Sequence, residues 1–376
     1  MVKVPPPFEL ATWIGAYDGK VEYNLGSSNV QIPIVEELLP LVPQAPTRGE
    51  GFAGSLVVRQ RVGSLLGLPP DQVQLTAGAS EANFIAYLCG VAAGQQVLVE
   101  SPTYSPLESI AAALEQPLRR VPRDPAHDFA LPLERVHAAL DQGGIGKTGL
   151  VVLTNLNNPT GAAMGKVTLR ALARLCADYR AHLFIDETFR WLDLAQTVPL
   201  VAACRDIHHP DGGCVAISSG SLSKVYNLGA SRVGWLAADE PFLRLVRGVR
   251  ETMNPVLSPL CEHLAAVALE RHDRILDRTL SLVGKNRSVA QRWAATRSDL
   301  RWIPSNGITA FPEVTNPTVD VGELALQLVR DHSTLISPGS YFGFPRHFRI
   351  GLGGDPDRLG PGLERVGMVL DALGHG

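Results

Sequence analysis

Val73-Gln74-Leu75-Thr76-Ala77-Gly78-Ala79-Ser80-Glu81 carries the reading of the fold. A short strand runs into a small-residue turn, and the turn opens an apolar helix from Ala82 to about Ala93. Strand, glycine turn and helix start in that order present unpaired backbone N–H groups to an anion. Taken alone, the turn reads more simply as an ordinary helix start with Ser80 as its cap. The surroundings weigh the two readings. Upstream, a helical pattern from about Gly54 through Arg59 and Leu65 stops at Gly67-Leu68-Pro69-Pro70,. Downstream come a strand at 96–100, a Ser/Pro turn at 101–106, a helix through Leu114, a strand at 118–121 and a helix around 133–140. Apolar strands at 150–154, 183–186 and 214–218 follow.

Strand and helix trading places predict an α/β protein whose large domain holds a mainly parallel sheet sandwiched by helices. A ligand of such a sheet sits beyond the carboxyl ends of the strands, where these turns lie. From about Asp239 the pattern turns helical, with Pro255 and Pro259 marking a break,. The remainder, with Ile308-Thr309-Ala310-Phe311-Pro312 and Phe348-Arg349-Ile350-Gly351, reads as a smaller α/β domain. The expected division is an N-terminal arm at 1–45 that contributes to the small domain and a substrate lid, a large domain at 46–265 and a small domain at 266–376.

With 376 residues the chain has ample length for two domains and a large buried core,. Its 45% hydrophobic and 19% charged residues describe a soluble globular protein. A net charge of −3 without a basic stripe argues against nucleic-acid binding,. Five scattered cysteines without a CxxC pair argue against a disulfide framework or a zinc site, so a cytoplasmic protein is expected,. Neither a signal peptide nor a membrane span is read. Gly146-Lys147-Thr148 copies the end of a P-loop, but the first glycine is missing and the segment enters a strand instead of a helix,. His208-His209-Pro210-Asp211 reads as a solvated turn, since no third ligand completes a metal spacing.

Ser221-Leu222-Ser223-Lys224 places one lysine among small hydroxyl residues, and Arg232 follows. A primary amine holds an aldehyde as a Schiff base, while the serines and arginine hold a phosphate. Pyridoxal 5′-phosphate carries both groups. Asp186 ends an apolar strand, and a buried carboxylate there calls for a cation such as a protonated pyridinium. Asn155-Leu156-Asn157-Asn158-Pro159-Thr160-Gly161 follows another strand with residues that also suit a plain turn,.

In this order, Asn-x-Asn-Asn-Pro-Thr-Gly, Asp-x-x-aromatic, Ser-x-Ser-Lys, Arg232 and Phe-Arg-Ile-Gly resemble the class I/II aminotransferases, fold type I pyridoxal-phosphate enzymes with the aspartate aminotransferase architecture. The likeness covers nearly the whole chain. It implies that Lys224 carries the cofactor as a Schiff base and shuttles the Cα proton, that Asp186 pairs with the ring nitrogen and that Asn158 bonds the phenolic oxygen. Gly78, Ala79, Ser80, Ser221, Ser223 and Arg232 match the phosphate cup, and Tyr104 matches the residue stacked on the ring. Arg349, with Asn158, matches the grip on a substrate α-carboxylate, and the 26–29 turn with Ser28 and Asn29 matches the lid. A homodimer, amino acid and 2-oxo acid substrates, and no metal are also implied.

Two departures stand out. Phe189 occupies a position where the family usually has a tyrosine that donates to the phenolic oxygen. Near 44–50 the family often has a tyrosine that reaches the partner's phosphate, and here only Arg48 offers itself. The pattern Asp-x-x-Phe, with the 24–30 turn and Ser258-Pro259-Leu260, is also similar to capreomycidine-synthase-type members and arginine oxidases that act on arginine derivatives. The expected activity is transamination of an L-amino acid. The alternatives are a non-transaminating reaction (cyclase, oxidase, hydroxylase or lyase) and, more remotely, a non-catalytic ligand sensor.

Overall fold

Successive residues of the buried strands supply opposite faces of one sheet. Leu98, Val151, Leu153, Leu183 and Ile185 join one apolar core, and Val97, Val99, Leu150, Val152 and Phe184 join the other,. Both faces are therefore covered, as a mainly parallel sheet requires. The computed structural model describes residues 4–32, 34–42, 50–193, 198–213 and 215–374.

The sheet has seven strands in the spatial order Val73–Thr76, Gly234–Ala237, Ala216–Ser221, His182–Asp186, Thr148–Thr154, Gln96–Ser101 and Leu118–Pro122. Six run the same way; Gly234–Ala237 is antiparallel to both of its neighbours. That strand has no counterpart in the pattern read from sequence. The 214–218 strand is also displaced, starting at Ala216 and running on to Ser221. Thr76, Ser101, Thr154, Asp186 and Ser221 consequently end at one edge of the sheet.

The helices Glu240–Met253 and Pro259–Glu270 flank the expected proline break and lead into His272–Ala295. The C-terminal part carries short strands. Phe348–Gly351 pairs with Thr309–Ala310 on one side and Ser337–Pro338 on the other. The N-terminal strand Tyr23–Asn24 pairs with Thr334–Leu335, which ties the arm to this part of the molecule. Ahead of it lies a helix not read from sequence, Glu9–Tyr17, anchored by Trp13 Nε1 donating to Ile336 O at 2.8 Å. Among the described residues no helix is long and apolar enough to cross a membrane.

Candidate active site

Beyond the carboxyl edge of the sheet lies a cavity of about 370 Å³. Ser28, Asn29, Ala79, Ser80, Tyr104, Asn158, Asp186, Phe189, Ser221, Ser223, Lys224, Arg232 and Arg349 all line it. Among the described residues singled out from sequence for the cofactor and the substrate, Gly78 alone stands behind the wall, and its part is structural.

Gly78 has φ +81° and occupies the N-cap position of the helix Ala79–Gly90, where no side chain caps the first turn. The backbone donors of Ala79 and Ser80 are thus left for an anion, and Ser80 is a first-turn residue instead of the cap. A Cβ at Gly78 would come within 2.3 Å of Arg232 Nη2, so the glycine makes room for the guanidinium. Arg232 donates from Nη1 to Gly229 O at 2.9 Å, which aims it at the same corner as Ser221 and Ser223. A helix start without a side-chain cap, two hydroxyls and a guanidinium in one corner are donors of the kind that suit a phosphate,.

Lys224 follows the strand Ala216–Ser221. Leu222 and Val225 are buried on either side of it, turning the lysine into the cavity. Its Nζ donates to Asn29 Oδ1 at 2.7 Å and to Ser28 Oγ at 3.1 Å, and stands 5.6 Å from the Phe189 ring centre. Burial, and then the Arg349 charge, push the amine down to about 7. Asp186 Oδ2 accepts from Asn83 Nδ2 at 2.8 Å and Oδ1 from Thr188 N at 2.9 Å. Ser219 Oγ in turn donates to Asn83 Oδ1 at 2.6 Å. Burial, with Asp186 nearby, pushes the Tyr104 hydroxyl up to about 12, and Phe8 packs edge-on to its ring at 5.4 Å.

The turn holding Asn158 is built around a buried ion pair. Glu100 meets Arg123 at 2.6 Å, and its Oε1 accepts from Thr154 N, Thr154 Oγ1 and Asn157 Nδ2. Asn157 Oδ1 then accepts from Thr160 Oγ1 at 2.7 Å. Asn158 Oδ1 accepts from Arg349 Nη1 at 3.0 Å, which leaves the Asn158 amide nitrogen to donate. Arg349 Nη2 donates to Gly26 O at 2.8 Å, and its Nε has no hydrogen-bond partner among the described residues. The guanidinium therefore keeps unused donor capacity for a carboxylate. Burial lowers it to about 10, so it remains a cation near neutrality.

Asn83, Ser219, Thr188 and the wall of Phe8, Leu10, Ala11 and Ile14 are the members of the site that sequence reasoning missed. Arg48 lies outside the described residues. His209 Nε2 is 3.3 Å from His182 Nδ1, away from this cavity, and no group of three or more ligating side chains is found among the described residues.

The set fits pyridoxal phosphate. The amine, the anion corner and the hydrogen-bonded carboxylate match its aldehyde, phosphate and ring nitrogen, and Gly78 lets the Arg232 guanidinium stand at the anion corner.

Comparison with known proteins agrees. The profile of the aminotransferase class I and II family matches residues 44–366. Capreomycidine synthase of Streptomyces vinaceus is 30% identical over 99% of this chain and 95% of its own length. The aspartate aminotransferase of Thermotoga maritima is 24% identical over 90% of this chain and 88% of its own. A pyridoxal-phosphate-dependent aminotransferase from Streptococcus suis 89-1591 superposes with a TM-score of 0.88 at 22% identity, covering 99% of both chains. The pyridoxal-phosphate-dependent cyclase OrfR superposes with a TM-score of 0.84 at 24% identity, covering 98% of both.

Proposed function

Because the chain belongs to the aminotransferase class I and II family and so takes pyridoxal 5′-phosphate, we propose that it removes the Cα proton of an L-amino acid at Lys224. The observation that carries this reading is the pairing of two groups across one cavity: an amine depressed to about 7 and a buried guanidinium with donors to spare. When bound, the cofactor supplies an aldehyde carbon for amines and a conjugated ring that takes up an electron pair from Cα.

The chain's own residues do the rest. Arg349 holds the α-carboxylate through paired N–H donors. Lys224 gives up its place to the substrate amine and takes the proton at Nζ, which an amine titrating near neutrality does readily. Ala79, Ser80, Ser221, Ser223 and Arg232 would hold the phosphate, and Asp186, fixed by Asn83 and Thr188, would meet the ring nitrogen. Phe8 and Tyr104 pack edge to face on one wall of the cavity.

For the outcome after proton removal, two findings favour a product made without a 2-oxo acid acceptor. Phe189 brings no hydroxyl to the cofactor, and capreomycidine synthase matches this chain along almost its whole length. Transamination is the second reading, favoured by the family itself and by relatives such as the Thermotoga maritima enzyme. A panel of amino acids, followed with and without a 2-oxo acid and with an oxygen electrode, separates them. Acceptor-free product without oxygen uptake supports the first reading; product that requires the acceptor supports the second. A Lys224→Ala variant with intact turnover overturns both.

A further inference from the structure

The turn that carries Ser28 and Asn29 is fixed to the C-terminal part of the molecule, whereas Lys224 follows a strand of the central sheet. Leu25 N donates to Leu335 O at 2.8 Å, and Gly351 N donates to Leu25 O at 2.8 Å. Asn24 Oδ1 accepts from Gly26 N and Ser27 N at 3.1 Å each, and Ser27 Oγ accepts from Asn29 N at 3.2 Å. The space against this turn is tight, since a Cβ at Gly351 would come within 1.7 Å of Ser27 O. The turn is thus held from inside and from below, and its two side chains converge on one nitrogen.

That nitrogen is Nζ of Lys224. An ammonium directs N–H donors at both oxygens. The Asn29 amide oxygen accepts in either state of the amine, the Ser28 hydroxyl turns to accept once Nζ is charged, and both contacts then gain the strength of a charged donor,. The other charged groups acting on Nζ are Arg349 from the strand Phe348–Gly351, Arg232 after its loop and Asp186 from the strand His182–Asp186; only Asp186 favours the charge. Tyr104 brings a neutral hydroxyl to the same cavity.

We propose that Asn29 and Ser28 are positioning residues for Lys224: they receive its amine when it is not bonded to the cofactor and hold the proton-bearing form in place until the proton is returned. This rests on the reading of Lys224 as the proton carrier. Atoms balance simply: the Nζ lone pair takes the Cα proton, the same N–H bond later gives it back, and the two acceptors neither gain nor lose a proton. The substrate carboxylate is registered by the same turn, because Gly26 O accepts from Arg349.

The test uses the cofactor-free protein, where Lys224 is free, and needs no turnover. Its condensation with pyridoxal phosphate, followed by the visible band, requires the neutral amine, so the pH midpoint of the rate reports the proton on Nζ. Asn29→Ala and Ser28→Ala are expected to lower the midpoint, together by about one pH unit, and Asn29→Asp is expected to raise it by about as much. A structural disturbance would not move the two substitutions at Asn29 in opposite directions. Unchanged midpoints, or the same direction for Asn29→Ala and Asn29→Asp, overturn the proposal and leave Lys224 in its role. If Lys224→Ala still forms the band, the reading of Lys224 falls, and this proposal with it.

Discussion

Asn83 donates to Asp186 across 103 residues of chain, and Ser219 fixes the amide by donating to its oxygen. The amide orientation is therefore determined, and the carboxylate keeps a fixed N–H donor.

Asn83→Leu removes that donor. Cofactor affinity is expected to fall about tenfold, the scale of one charge-assisted hydrogen bond. Fluorescence titration of cofactor-free protein with pyridoxal phosphate checks it, and an unchanged affinity would mean that Thr188 N suffices.

Phe189→Tyr restores a hydroxyl donor beside the cofactor's phenolic oxygen. A stabilised phenolate weakens the hold on the neighbouring proton, so the visible band of the loaded enzyme should change at lower pH in the variant. A midpoint that stays put or rises contradicts this account of Phe189.

Gly78→Ala puts a Cβ against Arg232 in a backbone conformation that suits glycine,. Displacement of the guanidinium should weaken pyridoxal phosphate by about tenfold or more while barely affecting pyridoxal, which lacks the phosphate. Parallel titrations with the two compounds read the difference.

The cofactor-free protein should show a lysine-dependent pH effect on stability. Lys224 titrates near 7 when folded against 10.5 in an ordinary setting, so between those values the unfolded chain holds the extra proton. Stability from this group is complete above pH 10.5, falls as pH drops toward 7, and stays low below that. Lys224→Met should melt higher than wild type at pH 6, with the gap closing toward pH 10; thermal melts across that range test the sign.

A homodimer is the expected assembly. Leu41 and Val57 are exposed and line a surface cleft with Pro259, and Phe52, Leu56 and Leu260 are exposed beside them in the chain, an apolar group of the kind that marks an interface. Light scattering should find a dimer for the wild type and a smaller species for Val57→Glu.

The residues legible in the sequence were those whose chemistry sits in a local turn at a strand end: Lys224 among serines, Asp186 closing an apolar run, Asn158 before Pro-Thr-Gly. Asn83 was not, because its amide matters only through partners 103 and 136 residues away. Nor was the reversal at Gly234–Ala237, since four buried residues carry no mark of direction. The helix Glu9–Tyr17 follows three prolines and buries only Leu10 fully, too weak a stripe to read; its place is set by contacts such as Trp13 with Ile336.

The turn at 26–29 touches both Arg349 and Lys224. A ligand held by its carboxylate and approached by one amine has two of its bonds fixed in space, and the cofactor linkage fixes a third. An amino acid of opposite handedness, seated on Arg349, would direct its Cα hydrogen away from Nζ. On the proposed roles of Arg349 and Lys224, a preference between mirror images would follow from which side of the cavity the lysine occupies, before any side-chain pocket is consulted.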